Sequence, residues 1–176
     1  KKKIIIILQT LNNNILDLEA AYKIVAEFDE PAVAIVKHMN PCGVAIDANL
    51  KKAFICAWNC DSLSAFGGIV SLNKEVDEST AKAIINAGFL ECIIAPKFAQ
   101  KALRSLKQKK NLRIIELGLN FKIDNEMDFK KVEGGVLVQE KDSKMFDLTA
   151  IKTVTKKKPT SLELKALVFA AKVAKH

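Results

Sequence analysis

Between residues 17 and 117, short apolar runs rich in β-branched residues alternate with longer segments whose apolar residues recur at helical spacing. Residues 17–28 (DLEAAYKIVAEF) repeat apolar positions at intervals of three and four, with Asp17 placed to cap the start. Residues 32–37 (AVAIVK) then read as a buried strand, since Val33, Ile35 and Val36 are β-formers and Pro31 marks the entry. The rhythm continues with a helix over 50–60, a strand over 67–72 (GGIVSL), and a helix over 77–87 capped by Asp77 and stopped by Gly88. A strand at 91–95 (ECIIA), a helix at 98–107 and a strand at 112–117 (LRIIEL) complete it. Such strands must be covered on both sides, so the pattern predicts an α/β fold, a three-layer α/β/α sheet domain.

After residue 117 the pattern is less regular. Residues 134–139 (GGVLVQ) predict a strand, and 161–175 a strong helix started by PTSLE, with Ser161 or Thr160 at the cap. The lysine-rich stretch 155–159 marks a boundary. We expect one subdomain over 1–154 and, over 155–176, the truncated helical start of a second.

Size and composition narrow the classes. With 176 residues, 49% of them hydrophobic, the chain can hold one domain with a substantial core, or one domain and part of another. No apolar run approaches the roughly 18 residues a membrane span needs, and IIIIL at 4–8 is strand-sized, so no membrane partner is expected. With Lys1–Lys3 it weakly resembles a signal peptide, but no small-residue cleavage site follows. The first residue is not Met, which suggests a piece of a longer polypeptide. Cys42, Cys56, Cys60 and Cys92 are scattered without a framework, as in a reducing cytoplasm. The formal charge of +8 gathers at Lys1–Lys3, Lys107, Lys109–Lys110 and Lys156–Lys158. Only one Trp and one Tyr accompany these lysines, with no stacking-rich or finger-like motif, so solvated faces are expected and no nucleic-acid partner. A basic surface also suits small anionic substrates.

The stretch KHMNPCGVA, residues 37–45, carries the chemistry in question. It sets a lysine and a histidine, both costly to bury, at the mouth of a strand. Surface accident, metal site and catalytic machinery are the alternatives. His38, Cys42, Cys56 and Cys60 lack the tight pairing of zinc sites, because the only close cysteine pair, CAWNC, has helical spacing. A zinc deaminase needs HxE and PCxxC; HMN and PCG fail both, and no metal is expected. Cys42 lies between Pro41 and Gly43, which predicts a tight turn, and no carboxylate is evidently placed to orient His38. An inert Cys42 is the simpler expectation. The glycines of AFGG, residues 65–68, form neither a Walker nor a Rossmann loop, but they allow close backbone approach before a strand. On these residues alone, a salt-bridged Lys37 and a satisfied core His38 are the simpler reading.

Several motifs together change that balance. KHMNPCGVA, SAFGGIVSLNKEVD (64–77), ECIIAPKFAQKAL (91–103), KKNLR (109–113), EGGVLVQEKD (133–142) and TKKKPTSLELKALVFAAKVAKH (155–176) occur in one order and spacing. They resemble the transformylase domain of bifunctional purine-biosynthesis enzymes. These formylate the aminoimidazole carboxamide ribotide (AICAR) and close the product to inosine monophosphate. The resemblance covers nearly the whole chain from about Asn13, and implies a cytidine-deaminase-like fold without the zinc. It places Lys37 and His38 at the formyl-transfer centre. The histidine would take the proton of a weakly nucleophilic amine, and the lysine would stabilise the formyl oxygen. The turn Asn40-Pro41-Cys42-Gly43 would fix both groups. The resemblance also implies that Asn40, Phe66, Gly67 and Glu91 contact the AICAR nucleotide, with Leu63 and Ser64 beside the 10-formyltetrahydrofolate co-substrate.

Departures are equally specific. Residues 11–14 read LNNN where the family has SYNN. The cyclohydrolase domain, an upstream Arg-Tyr motif, a downstream Ser-Asn segment and most of the folate site belong to segments not in this chain. The expected function is formyl transfer to AICAR, as a fragment inactive alone, in the cytoplasm, from an enzyme that is a homodimer when whole. The alternatives are a noncatalytic basic module binding RNA or an anionic ligand, and a scaffold fragment that keeps only dimerisation surfaces.

Overall fold

The computed structural model describes residues 12–118, 127–140 and 150–176. The basic and apolar runs of residues 1–8, and Leu11 of the LNNN motif, lie outside the described residues. The chain divides into two compact units, one from residues up to 118 together with 168–176, the other from the residues between 119 and 167.

The first unit is built on five strands: β1 (Ala32–Lys37), β2 (Asn40–Ile46), β3 (Ile69–Leu72), β4 (Cys92–Ala95) and β5 (Arg113–Glu116). They lie in the order β2-β1-β3-β4-β5, with β1 antiparallel to both neighbours and β3, β4 and β5 parallel. Side chains alternate faces along a strand, so one sheet makes two cores. Val33, Ile35, Val70, Leu72, Ile93 and Ala95 face one core. It is closed by α2 (Leu50–Cys60), α4 (Glu78–Ala87) and α5 (Gln100–Leu106), through Phe54, Ala57, Ile84 and Leu106. Ala34, Val36, Ile69 and Ile94 face the other, covered by Leu18, Ala21, Ile24 and Val25 of α1 (Asn12–Ala26). The expected sheet with helices on both faces is therefore present.

Local signals set most boundaries. Asp77 accepts from the Thr80 N–H at 2.7 Å to cap α4, and Gly88 ends it at φ 158°. Asn49 caps α2 by accepting from the Lys52 N–H. The buried Asn73 fixes the path from α1 into β1: its amide donates to the carbonyls of Phe28 and Glu30, and its oxygen accepts from the Ala32 N–H. Buried Glu27, at the end of α1, receives Lys175 at 2.9 Å and His176 at 3.2 Å, while Phe28 stacks on Phe169.

Three expectations are corrected. The helix expected from residue 17 begins at Asn12, so Asp17 lies within α1 and caps nothing. Asn40-Pro41-Cys42-Gly43 is not a turn but the start of β2. Pro41 is tolerated because β2 is an edge strand with a register shift opposite Ile35 and Val36. Gly43 is needed because a Cβ there would collide with the Ala57 carbonyl of α2. Gly67 and Gly68 precede β3 instead of starting it, and a short helix, α3 (Ser62–Ala65), leads into them.

The second unit contains an antiparallel hairpin of β6 (Met127–Val132) and β7 (Gly135–Glu140), with both strands exposed throughout. Its turn uses Gly134 at φ 81°. The last helix, α6 (Ser161–Ala174), opens with a reciprocal cap in which the Thr160 N–H donates to Glu163 and the Glu163 N–H to Thr160.

Candidate functional site

The antiparallel pairing of β1 with β3 brings the C-terminal end of β1 beside the N-terminal ends of β3, β4 and β5. Most of the expected site residues therefore share one edge of the sheet. Lys37 ends β1, His38 and Met39 form the turn, and Asn40 begins β2. Phe66 and Gly67 lead into β3, Glu91 precedes β4, and Arg113 opens β5. Hydrogen bonds carry the ladder through this edge: Gly67 N–H to Phe89 O at 2.8 Å, Glu91 N–H to Gly68 O at 3.1 Å, and Arg113 N–H to Glu91 O at 2.9 Å.

Lys37 is tied directly to the next segment. Its ammonium donates to the Phe66 carbonyl at 2.9 Å, which uses one of its three protons and fixes its direction. His38 is exposed, and its imidazole makes no hydrogen bond to a described residue. Its backbone is held from both sides. Asn40 Nδ2 donates to the His38 carbonyl at 2.8 Å, while the His38 N–H donates to Asp17 Oδ2 at 3.3 Å. The neighbouring Met39 N–H donates to Asp17 Oδ1 at 2.6 Å.

Both turn residues occupy the left-handed region, His38 at φ 53° and Met39 at φ 64°. Two-residue hairpin turns need positive φ, and Asn-Gly or Gly-Gly normally supply it. For other L residues the conformation costs about 1–2 kcal/mol each. Hydrogen bonds from two amides to one carboxylate are strong enough to offset it. Gly67, at φ 75°, makes the other sharp bend of this edge.

Phe66 is half exposed and rests tilted on Phe89, with ring centroids 5.8 Å apart, so it offers a flat apolar surface beside Lys37. Phe89 also lines a depression of about 210 Å³ whose rim carries Lys109 and Lys110. Glu91 and Arg113 form a loose ion pair 4.0 Å apart at a partly exposed rim, too long for a hydrogen bond.

Leu63 and Ser64 sit on α3, apart from the strand ends. Leu63 is 87% exposed. Ser64 is committed to the cap of that helix: its N–H donates to Asp61 at 3.0 Å, and its hydrogen bonds hold the Asp61 carboxyl below the usual range.

Cys42 is half-buried, and burial, reinforced by Asp61, pushes its thiol up. It is therefore protonated near neutral pH and a poor nucleophile. Cys92 is buried in the sheet and shifted the same way by burial, while Cys56 and Cys60 are exposed on α2. Among the described residues no group of three or more His, Cys, Asp or Glu side chains stands close enough to hold a metal ion. Nor is any described helix long and apolar enough to cross a membrane.

Asp17 was the residue not anticipated here. A signal for it existed, because Asp17 shares a helical face with Ala21, Ile24 and Val25, all fully buried. A carboxylate on an apolar face needs a partner. Its partner lies 21 residues away, beyond the reach of local patterns.

Comparison with known proteins gives a consistent picture. The family described as the AICARFT/IMPCHase bienzyme matches residues 10–176. The bifunctional purine biosynthesis protein PurH of Thermoanaerobacter is 52% identical over 164 residues, which cover 93% of this chain and 32% of that protein. PurH of Acetivibrio thermocellus is 49% identical over 166 residues, and PurH of Halalkalibacterium halodurans 49% over 164, with the same coverage of each. The chain thus spans about a third of the length of the curated relatives it matches.

Proposed function

The chain belongs to the AICARFT/IMPCHase bienzyme family, and we propose that this segment supplies the formyl-transfer centre of such an enzyme. The observation that carries the reading is the sheet edge where Lys37, His38, Asn40, Phe66, Gly67 and Glu91 gather.

The edge offers what the reaction requires. An aromatic amine conjugated to a carboxamide is a weak nucleophile, so its proton must leave as it attacks. His38, exposed and free of side-chain hydrogen bonds to described residues, is available as the base. Lys37 keeps protons not used by the Phe66 carbonyl and can offer them to the negative charge that develops on the formyl oxygen. Phe66 provides a face for the base, Gly67 lets the ligand approach the backbone closely, and Glu91 accepts from the nucleotide. The formyl group comes from 10-formyltetrahydrofolate, whose bond from the formyl carbon to N10 breaks as tetrahydrofolate leaves with a proton on N10, balancing the one taken from the amine, and Leu63 and Ser64 form one wall of its site. We read the β2-β1-β3-β4-β5 sheet as cytidine-deaminase-like without zinc, and the whole enzyme as a homodimer.

The test is formyl transfer by full-length protein carrying His38→Ala or Lys37→Ala, with urea unfolding of the same variants as the measure of intact fold. Loss of transfer with unfolding unchanged supports the reading. Wild-type transfer by His38→Ala would remove His38 from the mechanism.

A further inference from the structure

The shortest contact in the β1–β2 turn comes from outside the hairpin. Asp17, midway along α1 and 8% exposed, gives one carboxylate oxygen to the Met39 N–H and the other to the His38 N–H. Among the described residues these are the two that hold positive φ without being glycine. One buried carboxylate thus serves the two strained peptides beside the proposed base.

We propose that Asp17 is a positioning residue for formyl transfer, its grip on both amides holding the left-handed turn that sets where the His38 imidazole stands. The inference rests on His38 being the base. Its causal chain is short: the carboxylate fixes the two amides, the amides fix φ at residues 38 and 39, and φ at His38 fixes the direction of its Cα–Cβ bond. Asn40 completes the hold at the His38 carbonyl. No hydrogen bond to a described residue steadies the imidazole itself, so the backbone is what places it. Release of the turn to ordinary negative φ would redirect the Cα–Cβ bond of His38 and carry the ring with it, and a displacement of about 1 Å can lower a rate roughly 10²-fold.

The experiment compares four variants of the full-length polypeptide: Asp17→Asn, Asp17→Asn with Met39→Gly, Met39→Val, and His38→Ala. Asp17→Asn keeps the shape but turns an amide donor toward one of the two backbone N–H groups. It is expected to lower kcat for formyl transfer by roughly ten- to a hundredfold while the KM for AICAR changes by less than about threefold. Adding Met39→Gly, which takes positive φ without strain, should restore kcat to within about fivefold of wild type. Met39→Val leaves Asp17 in place but opposes positive φ, and should lower kcat even where Asp17→Asn fails to fold. Unchanged kcat in Asp17→Asn or in Met39→Val, or a defect that Met39→Gly does not relieve, overturns the positioning role, and the function stands if His38→Ala is inactive. Wild-type kcat in His38→Ala overturns both.

Discussion

The two hairpins of this chain solve one geometric problem in opposite ways. Each turns in two residues, between Lys37 and Asn40 in the first and between Val132 and Gly135 in the second. The β6–β7 turn places Gly134 at positive φ, where glycine carries no steric penalty, and no neighbour within 4 Å of where its Cβ would be is involved. The β1–β2 turn puts His38 and Met39 there, and recruits Asp17 from α1 to hold them. A turn that only connects follows local preference. The turn that carries His38 departs from it, and the compensation comes from a distant part of the chain.

Seven substitutions sharpen or break this contrast. The largest effect belongs to His38→Ala, which should lower formyl transfer by roughly 10²–10⁴-fold, whereas Glu133→Ala in the other turn should leave the rate within about twofold. Equal losses in a turnover assay would erase the functional difference between the hairpins. Next comes anchorage. Asn73→Ala strands the carbonyls and the amide that lead into β1, and should destabilise the chain by about 2–3 kcal/mol in urea unfolding. Thr160→Ala removes only the α6 cap, at a cost of about 1 kcal/mol.

Glu91→Gln keeps shape and removes the accepting charge, so AICAR should bind roughly ten- to a hundredfold more weakly by calorimetry, with unfolding unchanged. Unaltered affinity would move the nucleotide site away from this end of β4. The smallest effects lie in the turns themselves. Gly134→Ala should cost about 1 kcal/mol by denaturant unfolding, since it forces a Cβ into positive φ. Met39→Gly should gain about 0.5 kcal/mol, the relief of strain slightly exceeding the added freedom of the unfolded chain. A destabilising Met39→Gly would show that the first turn is not strained.

What could be read from the residues follows the range of the forces involved. Runs such as Ala32–Lys37 and the pair Asp77 and Gly88 act locally, and the strands and helix ends they imply are in place. β2 was hidden because Asn40, Pro41 and Gly43 are turn formers. Their role in a strand depends on its edge position and on how closely α2 packs, neither of which is a local property. β6 was missed because MDFKKV loses its alternation at the paired lysines. In the site, Lys37, His38, Asn40, Phe66, Gly67 and Glu91 were legible as motifs, and the sheet gathers them at one edge. Asp17 and Arg113 were not, because each acquires its neighbour through tertiary pairing.

The most direct measurement is a crystal structure of the full-length protein with AICAR bound. The nucleotide should lie along the edge formed by Lys37, Phe66, Gly67 and Glu91, its exocyclic amine within about 3.2 Å of the His38 imidazole. His38 and Met39 should keep positive φ, with both amides on Asp17. AICAR bound elsewhere, or at this edge with its amine out of reach of His38, would contradict the assignment.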